Sequence, residues 1–217
     1  MTAAGLGIEI YSDVVCPWCY IGKRRLERAL DQVDGGAAAR ITWRPFELNP
    51  TMPKAGMDRR VYLEAKFGGR AATTSMQDRV AAVGRSEGIE FAFDRIARTP
   101  NTFDAHRVIW LAQRQGGEDA AVEELFHAYF VEGLDLTTPD GLLVAAGRAG
   151  LDREKISAFL QSDEGVAGVR EEEARGHRLG IRGVPYFLFN GTTAVSGAQP
   201  VETFVATIEQ LSRVTQG

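Results

Sequence analysis

Both cysteines of the chain fall in one tetrapeptide, Cys16-Pro17-Trp18-Cys19. Thiol–disulfide exchange needs one sulfur that attacks as a thiolate. It also needs a second, close enough to resolve the mixed disulfide that forms. Pro17 suits the first turn of a helix, where its missing N–H would have had no partner anyway. Cys16 then stands at a helix N-terminus, where unpaired N–H groups and the helix dipole favour negative charge. It is the expected attacking sulfur, and Cys19, one turn on and more buried, the expected resolving one. A disulfide closing so short a loop removes little chain entropy, so the pair would be a poor staple. Two other readings compete. Zinc takes two ligands from such a motif, but a second cysteine pair is absent and His106, His127 and His177 show no paired ligand spacing. The pair could also be two inert buried cysteines.

A second signal is Gly183-Val184-Pro185-Tyr186, just before an apolar stretch. Alone it means a turn. Downstream of a Cys-X-X-Cys it marks the place where a thioredoxin-like fold presents the backbone of the residue before a cis proline to the reactive sulfurs. Val184 and Pro185 therefore join the candidate site.

These residues need elements to position them. Ile8 to Tyr11 reads as a strand, and Leu26, Ala29, Leu30 and Val33 have the spacing of a buried helix face. Asp34-Gly35-Gly36 stops that helix, and Ile41 to Phe46 is a second strand. The result is a β-α-β unit with a right-handed parallel crossover. From Asn49 helical segments follow, expected at 59–67, 74–87, 103–115, 120–132, 139–149 and 153–161. Ala105, Val108, Ile109 and Ala112 form a buried face in one of them. A helix from about 162 to 179 then leads to a strand at Tyr186–Phe189, an Asn190-Gly191 turn, a return strand at Thr193–Ser196 and a closing helix. The expectation is an α/β thioredoxin-like fold with a large all-helical insertion: a core of 1–50 and 165–217, and an insertion of 51–164.

The composition, 44% hydrophobic and 25% charged over 217 residues, suffices for a real core. The net charge of −4 is interspersed, without the basic stripe of a nucleic-acid binder. No stretch approaches the roughly 20 apolar residues of a membrane span. The first ten residues lack a positive signal-peptide segment and run into the first strand, so the expected location is cytoplasmic.

Six stretches in order along the chain carry a family resemblance: DVVCPWCYIG (13–22), WRPFELNP (43–50), NTFDAHR (101–107), AYFVEG (128–133), GVPYF (183–187) and SGAQP (196–200). The sequence resembles the DsbA family, and within it the FrnE-like subgroup related to 2-hydroxychromene-2-carboxylate isomerase. The resemblance implies a DsbA-like architecture and disulfide exchange, with no cofactor beyond the redox-active cysteines. Partners would be protein or small-molecule thiols and disulfides, with glutathione as a candidate co-substrate. It also draws attention to residues around the motif. Trp18 stands where periplasmic oxidants often carry His, and offers apolar cover and one N–H donor. Asp13 reads either as a buried carboxylate relaying protons or as a polar strand end. His106 shares a helix side with Phe103 and Trp110 and reads as a wall of the groove over Cys16, or as packing. Arg107 reads as a receptor for a carboxylate such as that of glutathione, or as a surface charge. The rival function is a glutathione-dependent isomerase or kappa-type transferase of the same fold. Such enzymes generally use Ser in place of Cys16 and need no second thiol.

Overall fold

The computed structural model describes residues 5–214; the outermost parts of the expected core, 1–4 and 215–217, lie outside them. The Ile8–Glu9–Ile10 alternation makes strand β1 (Gly7–Ser12), an inner strand of a four-stranded sheet ordered β2-β1-β5-β6. Helix α1 (Pro17–Gln32) crosses over to β2 (Arg40–Pro45), which is parallel to β1 with Trp43 opposite Ile10. Strand β5 (Tyr186–Phe189) is antiparallel to β1, with Phe187 opposite Ile10, and returns as β6 (Thr193–Ser196). Asn190 and Gly191 in that turn have φ of 49° and 70°, a left-handed region these two residue types enter at low cost.

The two faces of the sheet are covered separately. Ile8 and Ile10 share a core with α1 and with α9 (Val201–Val214), where Phe204 meets Phe187 at 4.8 Å between centroids. Tyr11 clusters instead with Phe46 and Ile181, on the side of α8 (Val166–Arg178). Arg175 of α8 donates to Tyr11 Oη at 2.8 Å and pairs with Glu9 at 2.6 Å.

Between β2 and β5 lie α2 (Arg59–Phe67), α3 (Arg70–Ser86), α4 (Phe103–Arg114), α5 (Glu118–His127), α6 (Pro139–Arg148) and α7 (Arg153–Leu160). Three boundaries differ from expectation by four residues or more. Helix α3 starts at Arg70, directly after Gly68 and Gly69, and not at Thr74. The N-cap of α8 is Gly165, in the left-handed region at φ 78°, so that helix begins at Val166 and not near Ser162. The helix expected over 120–132 stops being α at His127 and widens into a π turn, Ala128–Glu132, capped by Gly133 at φ 73°. Two short strands, β3 (Met57–Asp58) and β4 (Arg98–Thr99), pair antiparallel. Two residues carry no readable periodicity, so the sequence did not announce them.

The helical region shares its apolar core with the sheet. Phe126 of α5 stacks on Tyr20 of α1 at 5.0 Å and meets Trp43 of β2 edge-on at 6.4 Å. A satellite cluster containing Val108, Ala121, Ala146 and Ile156 joins α4 to α7.

Candidate active site around Cys16

Cys16 is the N-cap of α1, in extended backbone (φ −94°, ψ 108°), with Pro17 opening the helix. Its N–H donates to Asp13 O at 2.9 Å, which tightens the turn out of β1. Both cysteines are free thiols; Cys16 is 5% exposed and Cys19 1%. The Cys16 thiol donates to Val184 O at 3.6 Å, and the Val184–Pro185 peptide is cis. Burial pushes the Cys19 thiol well above its ordinary range, and the neighbouring Cys16 sulfur adds to this, against hydrogen bonds from Ser12 and the Asp13 backbone. One sulfur therefore faces outward beside a carbonyl, while the other is sealed behind it and holds its proton. Gly22, one turn beyond Cys19, lets the proline turn approach: a Cβ there would lie 3.0 Å from the Phe187 ring and 3.2 Å from Pro185 Cγ.

Cys16, and not Cys19, lines a cavity of about 260 Å³. Trp18 (38% exposed) and Val184 stand on the Cys16 side. The opposite wall comes from α2 and α3, through Leu63, Phe67 and Met76, with Phe93 behind. This corrects the expectation that Phe103, His106 and Trp110 of α4 form that wall. Those side chains line other depressions, because α4 packs against α5 and α8 rather than over the sulfurs. Phe103 lies under the Arg170 guanidinium at 3.9 Å. Trp110 covers Gly168, whose Cβ position would be 2.6 Å from the indole nitrogen.

Arg107 is buried and fully engaged. It donates to Asp104 Oδ1 at 2.8 Å, to Phe159 O at 2.9 Å, to Ser162 O at 2.6 Å and to Glu164 O at 2.8 Å. Its guanidinium fastens the turn between α7 and α8, which leaves it unsuited to a ligand carboxylate. His106 is buried too. Its Nε2 lies 3.7 Å from Asp13 Oδ1, within reach of charge attraction but too far for a hydrogen bond, and it has no hydrogen-bond partner. Asp13 is wholly buried; its Oδ2 accepts from Leu48 N at 2.7 Å and its Oδ1 from Val15 N at 3.4 Å. Burial opposes a charge on His106, but Asp13, Glu173 and Glu47 outweigh it and raise the imidazole above its usual range. Glu47 is pushed up to about 7 by burial first and then by Glu173, against His106 and Arg170. Behind the cysteine turn there is thus a chain of titratable groups, the buried Asp13, His106 and Glu47 and the half-buried Glu173.

Sequence reasoning missed the α2 wall. The signal was present: Arg59, Tyr62, Leu63, Lys66 and Phe67 follow the spacing of one helix face, and all five line the cavity.

A Cys-X-X-Cys at the head of α1, facing a cis X-Pro turn ahead of an antiparallel hairpin, defines a thioredoxin-like protein. The chain belongs to the family described as DSBA-like thioredoxin domain, whose model matches residues 7–209. It is similar to the probable DsbA oxidoreductase SCO1869 from Streptomyces coelicolor, with 32% identity and a TM-score of 0.88 over 94% of this chain and 89% of that one. It is 25% identical over 198 residues to the uncharacterized protein YwbO of Bacillus subtilis (strain 168), covering 91% of this chain and 92% of that protein. The cytosolic disulfide reductase DsbM from Pseudomonas aeruginosa, in its structure with GSH, shares the fold at 19% identity and a TM-score of 0.64, over 95% and 99% of the two chains.

Proposed function

We propose that the protein is a thiol–disulfide oxidoreductase in which Cys16 attacks and Cys19 resolves. The observation that carries this reading is the asymmetry of the pair: Cys16 opens on the cavity beside Val184 O, and Cys19 is closed off with its thiol protonated. The Cys16 thiolate displaces one thiol from a substrate disulfide and forms a mixed disulfide. A substrate backbone lying along Val184 would hold it there. Cys19 then loses its proton, attacks Cys16 Sγ and releases the second substrate thiol. The protein ends as the Cys16–Cys19 disulfide, and a thiol reductant returns it. Disulfide isomerisation uses the same first step. The buried groups Asp13 and His106 take the role of positioning the cysteine turn and its proton. Trp18 shields the mixed disulfide from one side.

Glutathione fits this scheme as a co-substrate, supported by the related disulfide reductase solved with GSH. The second thiol favours exchange over a glutathione-dependent isomerase, which has no step for Cys19. The expected cytoplasmic location belongs to the same proposal, since a reducing compartment would return the Cys16–Cys19 disulfide to the dithiol. So do 1–50 with 165–217 as the catalytic core and 51–164 as the insertion that walls the cavity.

The test uses insulin reduction and oxidation of a dithiol peptide. Cys16→Ser abolishes both, since a hydroxyl forms no mixed disulfide. Cys19→Ser accumulates mixed disulfides on Cys16, seen by mass spectrometry under non-reducing conditions. Activity retained in Cys16→Ser would overturn the assignment.

A further inference from the structure

Three cationic Lys or Arg side chains are buried among the described residues: Lys23, Arg59 and Arg107. Lys23 sits among Glu27, Asp119 and Glu123, and Arg107 faces Asp104 and several carbonyls. Arg59 differs. It is 7% exposed and lines the same cavity as Cys16. Its Nη1 donates to Tyr129 Oη at 2.7 Å, and that hydroxyl donates onward to Arg98 O at 3.2 Å. Its guanidinium faces the rings of Tyr129 and Phe93 at 5.5 and 5.7 Å. Its Nε has no hydrogen-bond partner, and among the described residues no carboxylate pairs with it. Thr99 Oγ1, on the same cavity wall, is also without a hydrogen bond. Asp13 is no substitute counter-ion: no ion pair joins it to Arg59, and its oxygens accept from Leu48 N and Val15 N, with the His106 imidazole 3.7 Å away.

Burying a cation without an anion is costly, and ring faces offset only part of that. In a chain whose net charge is −4, the cavity lining includes Arg59 and Lys66 and not one Asp or Glu. Its walls are otherwise largely apolar: Leu63, Phe67, Met76 and Phe93. At about 260 Å³ it suits a small molecule rather than a folded partner.

We propose that Arg59 makes this cavity a receptor for small disulfides and thiols that carry a carboxylate on an apolar body. The carboxylate meets the Arg59 guanidinium, the apolar body rests between α2 and α3, and the sulfur reaches Cys16. This inference rests on the exchange reading above and adds the substrate class. An aryl disulfide reacts in two steps. The Cys16 thiolate bonds to one sulfur and expels one aryl thiolate. Cys19, giving its proton to solvent, bonds to Cys16 and expels the other, so two electrons pass from the dithiol to the probe.

The experiment compares dithiobis(nitrobenzoate) with its uncharged diamide on the reduced full-length protein, each rate divided by that with mercaptoethanol. The acid should react faster by about tenfold or more, the worth of one charge-assisted hydrogen bond in a dry site. That acid-to-amide ratio should fall by about tenfold in Arg59→Met and largely return in Arg59→Lys. No preference in the unmodified protein, or an unchanged ratio in a folded Arg59→Met, would overturn the proposal. If neither probe reacts faster than with mercaptoethanol, the exchange reading itself fails. A second measurement needs no variant: millimolar benzoate should slow alkylation of Cys16 by iodoacetamide while benzamide does not, and equal effects of the two would overturn the subsite.

Discussion

Single side chains here differ in what they owe to their sequence neighbours. The positions of Cys16, Cys19 and Pro185 were legible because each is set locally: a spacing, a helix start and a turn. Arg59 and Glu47 were not, because each draws its character from residues brought in by the fold. Glu47 shows this most clearly. Its Oε1 accepts from Arg170 at 2.7 Å, while its buried Oε2 has no partner. With its carboxyl raised from 4.5 to about 7, the native state binds a proton that the unfolded chain has released. Stability therefore falls as pH rises across that window. His106 acts with the same sign at higher pH. Its contribution is complete below its ordinary value of 6.5 and is lost as pH rises through its raised native value. Glu47→Gln should match the parent near pH 4 and gain stability relative to it by roughly 1–3 kcal/mol at pH 8. Urea denaturation at several pH values measures this, and a pH-independent difference would contradict it.

At the scale of elements, most helices could be read from periodicity, and the errors cluster where backbone geometry overrides it. The π turn at Ala128–Glu132 continues an apolar pattern that looks helical, yet it sets Tyr129 under Arg59. Residues 162–165 looked like a helix start but form the turn held by Arg107. Helix α1 carries the clearest element-level device. It closes tightly on the proline turn where Gly22 has no side chain, a Cβ there lying 3.0 Å from the Phe187 ring and 3.2 Å from Pro185 Cγ. Gly22→Val should destabilise the protein by about 1–3 kcal/mol through overpacking. It should also shift the turn relative to Cys16, raising the rate of Cys16 alkylation. Thermal unfolding and iodoacetamide kinetics would check both, and a variant with unchanged Tm would refute the packing argument.

For the molecule as a whole, the sheet and the helical region are joined by more than shared apolar residues. Glu87, at the end of α3, accepts from Arg25 Nε at 2.7 Å and Arg28 Nη1 at 2.6 Å, both on α1. Burial would raise the Glu87 carboxyl, but these two arginines outweigh it and hold it below its usual range. A depressed carboxylate contributes above its unfolded value of 4.5 and loses that contribution as pH falls through its native value. Glu87→Gln should cost about 1–2 kcal/mol at pH 7, with the deficit shrinking below pH 4.5. Equal stability of the two proteins at pH 7 would show that the clamp is idle. The α/β fold with a helical insertion was legible in the sequence, whereas this clamp was not, since nothing near Glu87 in the chain marks its partners 62 and 59 residues away. The same long reach bears on how the protein is made. Cys16 leaves the ribosome early, but the carbonyl of Val184 that covers its sulfur comes 168 residues later. Until then β1 lacks its β5 neighbour, so the nascent chain presents a bare sheet edge beside two uncovered thiols. Oxidants and other growing chains thus meet these sulfurs before the finished cavity can choose among them.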